Sequence, residues 1–295
     1  MSHRRLSRIS IFLIGCFALG ILSGLGRGYA FAQGTPIRFA PLPMENREAI
    51  TLRFRPMMQY LEQQLGRPFV FDFSESYQTI VEKFQTGKID LAYLGPLPYV
   101  ELRAKDPHAE PLVHFREASG NPKYTCAIVA LADSPINLQG LRDHRIALTQ
   151  PLSTCGYLSV NGLLQERGGS LANNRYRYLN KHDAVALAVI RGEFDAGGLK
   201  TAIGRRYAHM GLKILAETPP FPGFGLIANQ ETLSRETREA IRQAMVQLDP
   251  AGADKAMLTR WGGSIRYGAV TAADADYQAV RTYKGQLEIP TDNRE

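Results

Sequence analysis

The chain has 295 residues, 44% of them hydrophobic and 21% charged, which is enough to build one large domain or two lobes around a real core. Its formal charge of +7 is concentrated at the front: residues 1 to 32 carry four Arg and no acid, so the remainder holds 31 basic against 28 acidic residues, +3. No basic run or basic-aromatic stripe survives beyond that segment, which argues against a nucleic-acid partner.

Arg4, Arg5 and Arg8 precede an apolar run from Ile9 to Leu25, and Ala30-Phe31-Ala32 offers small residues at the positions a signal peptidase reads. Residues 1–32 are therefore expected to be a cleavable secretory signal peptide. A retained anchor is the rival reading, although Gly15, Gly20, Gly24 and Gly26 dilute the apolar run; Leu13 to Cys16 also has a lipobox look, but the apolar stretch continues past the Cys. Cys126 and Cys155 remain after cleavage and are open to a disulfide or to two tolerated thiols. No Cys/His spacing suggests zinc, and no metal or cofactor is expected.

In chain order, Ile37 to Pro41 predicts a strand, and Thr51 to Leu65 a helix with Phe54, Met57, Met58, Leu61 and Leu65 on one face, stopped by Gly66. Phe69 to Phe73 is a strand, Ser74 and Ser76 are cap candidates, Gln78 to Phe84 is a helix ending at Gly87, and Ile89 to Leu94 is a strand. Gly95-Pro96 opens another helix, with Pro where its missing N–H costs nothing, and Pro111 to Phe115 is a fourth strand. The order then repeats: strand Arg145 to Leu148, helix Gly156 to Gln165, strand Tyr176 to Leu179, helix Asp183 to Arg191, and strands Asp195 to Leu199 and Lys213 to Ala216. Strands separated by single helices imply α/β lobes with mostly parallel sheets.

A closer match supports duplication. Tyr77 lies ten residues before Gly87 and thirteen before Asp90, and His182 lies ten before Gly192 and thirteen before Asp195. Tyr124 to Ala132 and the Pro- and Gly-rich Pro219 to Ala228 are the candidate crossovers, giving lobe 1 as 33–125 with a return at 223–295 carrying the C-terminal helices, beginning with Arg235 to Leu248, and lobe 2 as 126–222. Ligands of open α/β sheets bind beyond the carboxyl ends of the strands, which puts Tyr77, Gly95, Thr154 and His182 around one cleft. Ser153-Thr154-Cys155-Gly156, between a strand and a helical run, reads as an anion-binding corner or simply as a helix cap.

FRPMMQYLEQQLG (54–66), ESYQTIVEKFQTGKIDLAYLGPLPYV (75–100), LSTCGYL (152–158), KHDAVALAVIRGEFDAG (181–197) and the Pro-rich return at Pro219 together resemble the periplasmic solute-binding proteins of phosphonate, phosphite and phosphate ABC transporters. The resemblance implies the two-lobed type II periplasmic binding fold. It implies a periplasmic location and a small oxyanion clasped by Tyr77, Tyr124, Ser153, Thr154 and His182, and delivery to a transporter permease or, alternatively, to a membrane sensor kinase; Cys155 departs from the pattern by standing where the third hydroxyl of S-T-S-G would be and is taken with the ligand-binding set, and Gly95, Cys126 and Phe224 are further candidates beside it. The resemblance puts the acids that meet an aminoalkyl ligand's ammonium at Ala202 and Phe224, neither of which is acidic, so a small or apolar oxyanion held without a formal cation is expected. Two alternatives rest on the cysteines: thiols that coordinate arsenite in a sensing protein, or a Cys155–His182 enzyme.

Overall fold

The computed structural model describes residues 34–295, so the expected signal peptide, the anchor alternative and the lipobox lie outside the described residues. The chain begins with β1 (Ile37–Pro41), α1 (Arg47–Leu65), β2 (Phe69–Phe71), α2 (Tyr77–Gln85), β3 (Leu91–Leu94), α3 (Pro96–Lys105) and β4 (Ala109–Phe115). It continues through β5 (Lys123–Tyr124), β6 (Cys126–Leu131), β7 (Arg145–Leu148), α4 (Ser159–Gln165), β8 (Arg175–Tyr178), α5 (His182–Ile190), β9 (Ala196–Lys200), α6 (Thr201–Arg206) and β10 (Leu212–Glu217). It ends with β11 (Phe221–Pro222), β12 (Gly225–Asn229), α7 (Arg235–Val246), α8 (Lys255–Leu258), β13 (Ala269–Thr271) and α9 (Gln278–Lys284).

Local chemistry sets the helix ends. α1 starts before the expected Thr51 because the Asn46 side chain accepts the Ala49 N–H at 2.8 Å, and it stops where Gly66 turns left-handed at φ 61°. Its face of Ile50, Phe54, Met57, Met58 and Leu61 is buried against the first sheet. Of the two cap candidates before α2, Ser76 takes the role, accepting from the Thr79 N–H, whereas the Ser74 hydroxyl donates to Asp72.

Two sheets result, in the orders β13-β4-β12-β3-β1-β2 and β10-β6-β9-β7-β8, joined by the antiparallel ribbon β5–β11. Most strands of each sheet run in one direction, as expected, with an antiparallel strand inserted among them. β1 pairs in parallel with β2 and β3, and β7 with β8 and β9, but β12 runs antiparallel between β3 and β4, and β6 antiparallel between β9 and β10. The two segments expected to be crossovers are in large part these inserted strands. The ribbon stands at the carboxyl ends of the parallel strands, so a strand that enters a sheet directly from it must run back toward their amino ends.

The duplication is visible in three dimensions. α2 and α5 are both nine residues long and begin at Tyr77 and His182, and Gly87 and Gly192 both take positive φ after them. Asp90 accepts the backbone N–H and guanidinium of Arg38, and Asp195 accepts the same two groups from Arg145. Burial works against charge on both carboxyls, yet the Arg hydrogen bonds hold each below its ordinary pKa. β12 and β13 stand in the first sheet, but the tail after α9 reaches the second: Tyr176 and Arg294 exchange backbone hydrogen bonds of 2.7 and 2.9 Å, and the Tyr178 N–H donates to Asn293.

Candidate functional site

The parallel strands of both sheets end at one cleft, where a cavity of about 10 Å³ has roughly the size that holds one water. From the first sheet and the ribbon, Tyr77, Gly95, Tyr124 and Phe224 line it; from the second, Ser153, Thr154, Cys155 and His182. Of the expected ligand-binding residues, Cys126 stands outside the wall, bonded to Cys155. Leu42, Pro98 and Lys200 complete the lining and were not anticipated.

The Ser153–Gly156 corner folds as a kinked turn that leads into α4, with Gly156 at the non-helical φ −86°, ψ −124°. Gly156 is needed there because a Cβ would stand 2.8 Å from the Gln150 carbonyl and 2.9 Å from the Thr149 hydroxyl. Beneath the turn, Gly198 in β9 lets it lie on the strand; a Cβ at that position would meet Val160 at 2.2 Å and the Cys155 carbonyl at 2.9 Å. The reading of Ser153 and Thr154 as mere caps is not what the geometry shows. Ser153 makes no side-chain cap bond, and the Thr154 hydroxyl instead accepts the Leu97 N–H at the start of α3, across the cleft, at 3.0 Å. Its own O–H is thereby left to donate. Gln150, which sequence reasoning missed, makes a second bond across the cleft by accepting the Tyr77 N–H at 3.3 Å. The first turns of α2 and α3 therefore direct N–H groups into the cleft from one side, opposite the hydroxyl corner.

Cys126 and Cys155 form a disulfide with a Cα separation of 5.0 Å, and both are buried. The thiol-dependent arsenite reading and the Cys155–His182 enzyme reading each need a free sulfur, and the bond removes it. The sulfurs instead tie the turn to β6, two residues from Tyr124.

His182 opens α5 as Tyr77 opens α2. The Lys200 backbone N–H donates to His182 Nδ1 at 3.1 Å, so that nitrogen is the acceptor and the ring proton resides on Nε2. Burial, followed by the nearby Lys200 charge, pushes the His182 pKa down to about 4, so the ring is neutral near pH 7. Burial raises the Tyr77 and Tyr124 hydroxyls well above their ordinary pKa, for Tyr124 with the Thr154 hydroxyl partly opposing. Five groups, Tyr77, Tyr124, Ser153, Thr154 and His182, are thus uncharged and able to donate hydrogen bonds.

The expectation of a site without a formal cation is corrected by Lys200. It occupies in β9–α6 the place Gly95 has in β3–α3, the residue before a helix, and that duplicated register is the only sequence signal that pointed to it. Its ammonium meets both carboxylate oxygens of Glu117, beyond β4, at 2.7 and 2.8 Å, and lies 4.9 Å from the Tyr124 ring centroid and 5.6 Å from that of Phe224. Phe224 in turn stacks on Tyr93 and Tyr124 and packs over Gly95. Ala202, by contrast, is exposed on α6 and takes no part in the lining.

With this geometry, residues 39–277 match the family model described as "ABC transporter, phosphonate, periplasmic substrate-binding protein". The chain is 28% identical over 277 residues to the phosphate-import protein PhnD of Mycolicibacterium smegmatis, covering 85% of this chain and 86% of that one. It is 26% identical over 267 residues to the phosphonates-binding periplasmic protein of Escherichia coli, covering 86% and 77%. Among solved structures, PhnD1 from Prochlorococcus marinus in complex with methylphosphonate superposes with a TM-score of 0.72 at 19% identity, covering 85% of this chain and 97% of that one, a likeness of fold.

Proposed function

Because the chain belongs to the periplasmic substrate-binding proteins of phosphonate ABC transporters, we propose that it captures a small oxyanion of the phosphonate, phosphite or phosphate class between two lobes and delivers it to a transporter permease. The lobes are residues 33–125 with 223–295, and 126–222, the tail beyond α9 resting on the second. Tyr77, Tyr124, Ser153, Thr154 and His182 bind the ligand, Gly95 and Phe224 shape its seat, and the Cys126–Cys155 bond holds the corner that carries Thr154. The protein acts in the periplasm, as a binder and not as an enzyme.

The observation that carries this reading is the convergence of five uncharged donors with two helix N-termini on one small cavity. Such a set satisfies tetrahedral oxygens through directed hydrogen bonds, and each helix end adds roughly 0.3 to 1 kcal/mol toward an anion. Neutral His182 contributes Nε2–H in a fixed direction because Lys200 N–H holds the other nitrogen. Two of the bonds that join the lobes, from Leu97 to Thr154 and from Tyr77 to Gln150, link closure to the same residues that meet the ligand.

A thermal-shift panel of phosphate, phosphite, methylphosphonate and sulfate on the chain from residue 33, followed by calorimetry on the hits, tests the reading. A ligand at 100 times its dissociation constant stabilises by about 2.7 kcal/mol, so a phosphorus oxyanion should raise the melting temperature clearly. Absence of any shift with all three phosphorus oxyanions at millimolar concentration would sink it.

A further inference from the structure

Once the hydroxyls and the imidazole are assigned to the oxyanion, the walls left for its remaining substituent include Leu42, Pro98, Phe224 and Lys200. Lys200 carries the one formal charge among the described residues that line the cavity. Glu117 is not part of that wall; it stands behind Lys200 and accepts two of the three ammonium hydrogens. The side chains are 16% and 17% exposed, so water screens the pair little. The ammonium is further held over the Tyr124 and Phe224 rings. Lys200 thus stands at the same small cavity as the hydroxyls and the imidazole.

We infer that Lys200, held in place by Glu117, sets the ligand specificity of the cleft: it admits oxyanions whose remaining substituent is hydrogen, oxygen or a short alkyl group and rejects those that carry an ammonium. Discrimination of this kind comes from a repulsive element built into the site, here a cation whose counter-charge, Glu117, is not part of the cavity wall. The pair also spans the two sheets, Lys200 closing β9 and Glu117 following β4, so the charge is in place when the lobes are together. Without Lys200, the Glu117 carboxylate would be the nearest charge and the selectivity would change sign.

This inference rests on the oxyanion reading, and calorimetry with methylphosphonate and 2-aminoethylphosphonate separates the two. The wild-type chain should favour methylphosphonate by about a hundredfold, the scale of a like-charge contact. Lys200→Met exposes Glu117 to the cleft and should shift the ratio of the two dissociation constants by at least about tenfold toward the amino compound. The double variant Lys200→Met/Glu117→Gln removes both charges and should fall between them; it also guards against a single variant that folds poorly with a half-buried unpaired acid, which circular dichroism would reveal. An unchanged ratio across all three proteins would overturn the role of Lys200 while leaving the oxyanion reading intact. Wild-type protein that binds neither compound nor phosphate would instead remove the oxyanion reading, and this inference with it.

Discussion

Breaking the Cys126–Cys155 bond should cost both stability and affinity, and the first cost follows from chain entropy. The bond links positions 29 residues apart, and closing a loop of that length in the unfolded chain corresponds to about 3.6 kcal/mol at 25 °C. In a chain of this size 1 kcal/mol moves the melting temperature by about 2 to 4 °C, so Cys126→Ala/Cys155→Ala should melt about 7 to 14 °C below the oxidised wild type. Cys155→Ser alone supplies a hydroxyl beside Thr154 but leaves Cys126 buried without its partner, and it should lose a similar amount. The turn then rests on β6 through packing only, so oxyanion affinity should fall as well. Differential scanning calorimetry of oxidised, reduced and doubly substituted protein, with thiol titration after unfolding, makes the comparison. Two titratable thiols in the unreduced protein, or melting temperatures within about 2 °C of one another once reduction is confirmed, would refute the reasoning.

Thr154→Val removes the acceptor of the Leu97 N–H as well as a ligand donor, so calorimetry should show binding weakened by about 1 to 3 kcal/mol. Gly198→Ala pushes a methyl into Val160 and the Cys155 carbonyl, and chemical denaturation should show a loss of about 1 to 3 kcal/mol accompanied by weaker binding. The His182 pKa near 4 lies below the unfolded value of about 6.5, so the stability this group contributes is full above about pH 6.5 and is lost as pH falls through about 4. Urea melts from pH 7.5 to 4.5 should therefore show a slope that His182→Gln reduces, and an NMR titration should find the ring neutral at pH 6; an imidazolium at that pH would contradict the assignment.

What could be read from the sequence was what is encoded locally. The apolar spacing of Phe54, Met57, Met58 and Leu61 and the stop at Gly66 define α1, and the equal spacings from Tyr77 and His182 mark two equivalent helix starts facing one cleft. β6 and β12 were harder, because an apolar run with no helix before it looks like a connector, and its direction depends on where the ribbon delivers it. Lys200, Glu117 and Gln150 carry no local signal. A lysine at a strand end is ordinary until a carboxylate 83 residues away in sequence is placed against it, and Gln150 acquires its partner only when two lobes meet. The disulfide was open for the same reason, since two cysteines 29 residues apart do not reveal which strands bring them together.

The interleaving of β12 has a consequence for the order in which the molecule can assemble. The second sheet is drawn from one continuous stretch, β6 to β10, but β3 and β4 of the first have no bond to each other and meet only through β12, whose residues 225–229 come more than a hundred positions later. A nascent chain ending before residue 225 has both inner edges unpaired and cannot complete its first core, however long it waits. Contacts so distant in sequence also fold slowly once the whole chain is present. The two lobes therefore differ in when they can close: the second has all its strands once residue 217 is present, whereas the first waits for residue 229.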